Sequence, residues 1–235
     1  MTNGQKFYAE HIKRALDILC ALAAMIVFGW LYVILALLVR VKLGSPVIFK
    51  QRRPGKEERI FCLYKFRTMT DARDENGKLL PNEDRMTEFG RLLRNTSLDE
   101  LPEAWNILKG DMSVVGPRPQ LVQDMLFMTP EQRRRHEVRP GLTGLAQVSG
   151  RNALAWERKL EKDLEYIQHI SFLLDVKIVF RTVKQIFFHE KGLEDCVVDE
   201  VAITDDLGDY LLLNGLVDQA EYDRKQAEAS SLLEV

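Results

Sequence analysis

Cysteine is scarce in this chain, with three in 235 residues, at Cys20, Cys62 and Cys196. The number is odd and the spacing wide, which excludes a disulfide framework and a zinc site and suits a reducing cytoplasm. His136 and His169 have no ligand-like residues near them in sequence. A P-loop and a G-x-G-x-x-G fingerprint are both missing, so kinase and dehydrogenase readings have no support. No helix-turn-helix, zinc-finger or RNA-binding signature occurs, and nucleic acid is not an expected partner. Internal repeats and low-complexity tracts are absent too.

Charge is also missing from one long stretch, Ile18–Val39. A run of roughly 20 apolar residues is long enough to cross a bilayer as a helix. Lys6, Lys13 and Arg14 precede it, and Arg40, Lys42, Lys50, Arg52 and Arg53 follow it. Cations beside a membrane segment tend to stay cytoplasmic. With cations at both ends, the rule gives no direction of crossing. A segment that enters and leaves by the same cytoplasmic face satisfies both flanks. The run exceeds a usual signal-peptide core and lacks a small-x-small cleavage site, which argues against a secretory signal. A mean hydropathy of −0.18 leaves the rest of the chain water-compatible.

The net charge of −2 hides an asymmetry. Residues 190–235 hold 13 acids and 3 bases, a net of −10, leaving 22 acids and 30 bases in residues 1–189, a net of +8. A cationic body suits anionic lipid headgroups and phosphorylated substrates.

Short strands are predicted at Val47–Lys50 and Ile60–Thr68, separated by a turn at Pro54-Gly55. Asp71–Glu83 reads as a charged loop around Asn76-Gly77. Helical spacing predicts helices over Arg85–Arg94, Leu98–Leu108, Pro130–Glu137 and Leu154–Gln168. Lys109–Gln120 and Arg139–Asn152, rich in Gly and Pro, read as loops. In Ile170–Phe188, Lys177, Arg181 and Lys184 share one helical face of an otherwise mostly apolar segment, with Asp175 an exception. That pattern fits a core helix with a solvated stripe or a helix in the membrane interface; beside a membrane segment the interface is favoured. Leu211–Leu216 is expected to make a short helical contact and the end to be mobile.

The sharpest local signal is Thr96-Ser97-Leu98-Asp99-Glu100-Leu101. Ser97 with Glu100 three residues later fits a capping box, which would make the acids ordinary first-turn residues. The same amide field keeps a carboxylate ionised and attracts phosphate. Two adjacent carboxylates can then hold a divalent cation and supply a nucleophile. Lys65, Arg94, Lys109, Arg118, Arg139 and Arg151 are the cations available for a phosphorylated substrate. Arg118 lies in Gly116-Pro117-Arg118-Pro119, a stiff turn suited to gripping phosphate or simply to punctuating a loop. Asp163, within the charged stretch Glu157–Glu165, reads by itself as part of a solvated face.

Several further motifs occur in order. They are Lys13-Arg14-x-x-Asp17, Tyr64-Lys65-Phe66-Arg67-Thr68-Met69, the Ser97–Leu101 run, and the stretch from Lys109 to Pro119. Arg139-Pro140-Gly141-Leu142-Thr143-Gly144, Gln147-Val148-Ser149-Gly150-Arg151-Asn152 and Asp175-x-Lys177 follow. Together, over roughly residues 10–190, they resemble the bacterial sugar transferases, the monotopic polyprenyl-phosphate phosphoglycosyl transferases of small single-domain type.

The resemblance implies transfer of a phosphosugar from a UDP-sugar to undecaprenyl phosphate with release of UMP, the first membrane step of glycan assembly. It implies Asp99 as nucleophile, forming an aspartyl-phosphosugar, and Glu100 as a ligand of Mg2+. Lys65, Arg94, Arg118, Arg151 and Asp163 fall on family positions linked to activity or phosphate binding. The expected fold is α+β and mostly helical: an N-terminal membrane helix (residues 1–43), re-entrant or spanning, then a catalytic domain (44–190) with interfacial amphipathic helices and a few short strands. An acidic tail (191–235) ends the chain. The expected location is the cytoplasmic face of the bacterial inner membrane, with membrane lipids as partners; a homodimer is compatible with this reading. Relatives often carry Ser-Pro in mid-segment, where this chain has Phe28-Gly29-Trp30; Gly permits a bend without forcing one.

Overall fold

The uncharged run folds as helix and then breaks. In the computed structural model, which describes residues 1–150, 155–188 and 206–234, α1 (Asn3–Phe7), a π turn (Tyr8–Ile12) and α2 (Lys13–Val27) run on continuously. Phe28 leaves helical geometry (φ −101°, ψ 7°), and α3 (Gly29–Lys42) resumes at 65° to the preceding stretch. The bend therefore falls at Phe28, one residue before Gly29, where a Cβ would meet nothing within 4 Å. Among the described residues, no single helix is long and apolar enough to cross a membrane, although the bent pair together passes that test.

By contacts the chain forms two units, interleaved in sequence: Met1–Asp17, Arg52–Phe61 and Gly110–Val235 in one, Ile18–Gln51 and Cys62–Lys109 in the other. Both are mainly helical, and the fold is α+β with two small sheets among the described residues. The first sheet pairs β1 (Ile48–Pro54) with β2 (Ile60–Phe66). The unit holding residues 62–109 adds α4 (Asn82–Arg85), α5 (Glu88–Asn95), a 3-10 turn at Leu98–Glu100 and α6 (Glu103–Lys109). Its core joins Leu35 and Val39 of α3, and Leu43 just beyond it, to Phe66 of β2 and Leu93 of α5. The other side of α3 stays apolar yet exposed, with Trp30, Val33, Leu37 and Val41 each 60% or more accessible. Gly90 lets α5 press onto the Thr68 carbonyl, where a Cβ would fall 1.8 Å from the oxygen.

In the other unit, β3 (Ser113–Val115) pairs in parallel with β4 (Gly141–Thr143), Ser113 opposite Gly141 and Val115 opposite Thr143. Both strands lie in segments that Gly and Pro mark as loops. Three glycines allow the pairing: a Cβ on Gly116, Gly141 or Gly144 would come within 2.1–2.5 Å of facing backbone. Around this ladder stand α7 (Val122–Phe127), α8 (Pro130–Arg133) with a 3-10 turn at Arg134–Glu137, α9 (Leu145–Gly150), α10 (Trp156–His169) and α11 (Phe172–Phe188). The core gathers Val115, Val138, Leu145, Tyr166, Ile167 and Ile178.

Asp175, the odd acid of α11, is buried and accepts hydrogen bonds from Tyr8 (2.7 Å), Lys13 (2.6 Å) and Tyr166 (2.7 Å). Elsewhere α11 exposes Leu173, Val176 and Phe180 beside its exposed cations Lys177 and Arg181. The C-terminal stretch departs from the expected mobile end. It forms α12 (Leu207–Leu213) and α13 (Gln219–Glu234), and Leu207 and Tyr210 pack with Phe127, Trp156 and Leu160. Asp124 anchors α12 by accepting from Leu207 N (2.9 Å), and burial pushes its carboxyl up to about 6.

Gly141→Ala should be among the most damaging single changes here. Its Cβ would meet backbone at 2.1 and 2.4 Å, which side-chain rotation cannot relieve. A loss of about 3 kcal/mol or more is expected, read as a lowered thermal midpoint of the purified protein. A melting curve matching the parent would show that the ladder is dispensable.

Candidate active site

The Ser97–Leu101 run does not fold as the capping box it suggests. Ser97 takes the left-handed conformation (φ 56°) and its side chain makes no cap; Leu98–Glu100 is one 3-10 turn, and the helix begins only at Glu103, beyond Pro102. Proline at that point removes a backbone donor and restricts Leu101 before it. Leu98 and Leu101 pack against the α3 core cluster, and the Tyr32 hydroxyl donates to the Leu101 carbonyl. The two acids between them are thus held by apolar packing rather than by helix-terminal amides.

Asn106, fully buried on α6, fixes the other wall. Its Oδ1 accepts from Tyr64 N (3.1 Å) and its Nδ2 donates to the Cys62 carbonyl (2.7 Å), completing the β2 edge as a neighbouring strand would. Phe66 of β2 enters the core, so Lys65 points to the other side of the strand. Its ammonium lies 2.7 Å from Glu100 Oε1 and 3.1 Å from Glu103 Oε1. Arg94 donates from Nε to Thr68 Oγ1 (3.1 Å).

Asp99 is only 7% exposed. Burial, and then the charge of Glu100, push its carboxyl upward; Lys65, Arg94 and its own backbone N–H pull it back. Asp99, Glu100, Lys65 and Arg94, chosen from sequence, thus form one electrostatic group within a single unit. Glu103 and Asn106 join it unforeseen. Their signal was the three-residue spacing in Glu103-Ala104-Trp105-Asn106, which shares a helical face.

Arg118 and Asp163 belong to the other unit, where Arg135 links them. Arg135 donates to Asp163 Oδ2 from Nε (3.0 Å) and Nη2 (2.7 Å), and to the Arg118 carbonyl (2.6 Å). The Asp163–Arg135 pair is almost entirely buried, with side chains 3% and 1% exposed. Asp163 is therefore neither a solvated acid nor open to substrate. It holds the arginine that holds the Gly-Pro-Arg-Pro turn, and Arg53 donates to the next carbonyl, Pro119 (3.3 Å). Arg135 sits in a run of arginines, where composition does not single it out. Arg151 lies outside the described residues.

Carboxylates on a tight turn beside Lys65 and Arg94 suit the transfer of a phosphorylated group, whose charge the two cations offset. The chain belongs to the bacterial sugar transferase family, whose profile matches residues 8–189. It is 50% identical over 179 residues to the uncharacterized sugar transferase EpsL of Bacillus subtilis (strain 168), covering 76% of this chain and 89% of that one. The exopolysaccharide production protein PSS of Rhizobium leguminosarum bv. phaseoli is 40% identical over 196 residues, covering 77% and 98%. The UDP-glucose:undecaprenyl-phosphate glucose-1-phosphate transferase of Escherichia coli (strain K12) is 39% identical over 184 residues, covering 73% of this chain and 39% of that longer one.

Arg135→Ala should destabilise the protein by about 3–5 kcal/mol, because the Asp163 carboxylate would stay buried without its cation. Replacing both, Arg135→Met with Asp163→Leu, should recover most of that loss. Thermal denaturation checks both, and a single variant as stable as the parent would mean the pair carries no structural weight.

Proposed function

We propose that this protein transfers a phosphosugar from a UDP-sugar to undecaprenyl phosphate, releasing UMP, at the start of the assembly of a bacterial glycan. The names of the relatives support the substrates: those of Escherichia coli and Klebsiella pneumoniae are UDP-glucose:undecaprenyl-phosphate glucose-1-phosphate transferases. That of Aeromonas hydrophila is a UDP-N-acetylgalactosamine-undecaprenyl-phosphate N-acetylgalactosaminephosphotransferase. The observation that carries the reading is Asp99 itself, a buried carboxylate under the influence of Lys65 and Arg94 on a turn shared with Glu100.

In the first half-reaction an Asp99 oxygen attacks the β-phosphorus of the UDP-sugar. The bond to the bridging oxygen breaks, and UMP leaves with that electron pair. Asp99 then carries the phosphosugar as an acyl phosphate. In the second, an oxygen of undecaprenyl phosphate attacks the same phosphorus and Asp99 is released. Lys65 and Arg94 supply positive charge where phosphoryl oxygens gain negative charge. Arg118, on its clamped turn, is assigned to a phosphate group of the substrate.

Mg2+ is the proposed cofactor. Glu100 offers the hard oxygen donor that this ion prefers, with Asp99 beside it. Among the described residues no three His, Cys, Asp or Glu side chains are grouped to cage a metal, which suits an ion that takes most ligands from phosphate and water. When bound, it would neutralise charge on the diphosphate.

The proposed setting is the cytoplasmic face of the bacterial inner membrane. The 65° bend, the exposed apolar side of α3 and the cations at both ends support a re-entrant hairpin. The exposed apolar face of α11 beside its cations supports an interfacial helix.

Asp99→Asn should lower UMP release by about a thousandfold or more and abolish the covalent intermediate, while the protein still folds. Glu100→Gln should lower activity and raise the Mg2+ concentration needed. Release of UDP instead of UMP by the parent would point to plain glycosyl transfer, and release of neither to a silent scaffold. For topology, a cysteine placed at Thr2 should resist a membrane-impermeant reagent in intact cells and react once they are permeabilised. A fluorophore on a cysteine placed at Leu173 should shift to the blue with anionic vesicles. Labelling at residue 2 from outside would mean a straight span, and an unshifted spectrum would take α11 out of the interface.

A further inference from the structure

Among the described residues Lys65 pairs with two carboxylates, and they differ in kind. Glu100 stands on the 3-10 turn next to Asp99, with its side chain 15% exposed. Glu103 stands in the first turn of α6, with its side chain 3% exposed. Three residues further along the same helix, Asn106 is bonded to the backbone of β2 on both sides of Leu63, at Cys62 and Tyr64. Residues 103 and 106 share a helical face, so the clamp that locks α6 to β2 also fixes Glu103 against strand position 65.

We infer that Glu103 is the positioning residue of Lys65: it holds the lysine ammonium beside Asp99 while Glu100 is engaged elsewhere. This rests on the proposed function, in which Glu100 serves the diphosphate and its cation. A carboxylate that also binds a cation holds an ammonium less strongly, because its charge is then shared between the two. Without Glu103, the lysine would follow Glu100 or relax along its four-carbon stem. With Glu103, the ammonium keeps one fixed partner through both half-reactions. Glu103 is too buried to touch substrate, which makes it a positioning residue and not a catalytic one.

The test is a pair of double-mutant cycles, Lys65→Met with Glu103→Gln and Lys65→Met with Glu100→Gln, read by kcat, by the Mg2+ concentration for half-maximal rate, and by thermal midpoint. Glu103→Gln keeps shape and an acceptor oxygen, and should lower kcat roughly tenfold, toward the lower end for an outer partner of an active group. Glu103→Ala should lower it further. In the Lys65→Met background Glu103→Gln should cost no additional activity and should raise the thermal midpoint, because a buried carboxylate has lost its ammonium. The Mg2+ requirement should move with Glu100→Gln and stay put with Glu103→Gln. Independent, multiplying effects of Lys65→Met and Glu103→Gln would overturn the inference, as would a Mg2+ requirement shifted by Glu103→Gln. If the parent releases no UMP from any UDP-sugar, the functional reading fails, and the thermal cycle alone then decides whether Glu103 holds Lys65.

Discussion

One ammonium organises the acidic turn. Asp99, Glu100 and Glu103 lie within five residues, and burying three carboxylates together is unfavourable through both desolvation and mutual repulsion. Lys65 offsets both, since it contacts Glu100 and Glu103 directly and counters the upward push on Asp99. Arg94 adds a second positive centre. The surrounding architecture of that unit keeps Lys65 at this point. Phe66 is driven into the core, which turns residue 65 outward from it. Asn106 seals the strand edge, and Gly90 brings α5 close enough for Arg94 to reach Thr68.

The other unit uses buried charge differently. Asp163 with Arg135, and Asp175 with Lys13 and two tyrosines, are interior polar knots far apart in sequence. Replacing such pairs by apolar residues often costs no stability, so their value here is geometric. Arg135 reaches the Arg118 carbonyl and Asp175 ties the first helices to α11. A backbone carbonyl or a helix axis is thereby set in one place. The glycines at 116, 141 and 144 work to the same end by removing side chains from a backbone crossing that would otherwise be too wide.

Helix α3 serves two environments at once. One side of it builds the core behind the acidic turn, and the other remains apolar and exposed. A soluble helix seldom keeps four large side chains of one face so accessible, and such surfaces mark contact with something other than water. Because Leu98 and Leu101 pack into the same cluster, the position of Asp99 follows the position of α3. The proposed anchoring and the proposed chemistry are therefore coupled mechanically within that unit.

The motifs around Asp99 and Glu100, the apolar run, the β2 strand and the helices over residues 88–95, 156–169 and 172–188 were legible in the sequence, because each depends on local periodicity or on residue type. The conformation of Ser97 was not. Its hydroxyl would cap a helix, but packing of Leu98 and Leu101 and the proline at 102 select a tight turn instead. The β3–β4 pair was hidden for a related reason: three-residue strands show no period, and their pairing rests on glycines 25 or more residues apart meeting backbone to backbone. Residue chemistry, read from sequence, supplied the candidate groups for phosphate transfer, the family resemblance chose among them, and the apolar run marked where apolar surface lies. Tertiary structure alone decided that Asp163 belongs to Arg135, that Asp175 belongs to Tyr8, Lys13 and Tyr166, and that Glu103 shares Lys65. Burial makes the partner of each charge obligatory, while its identity depends on which distant segments the fold brings together.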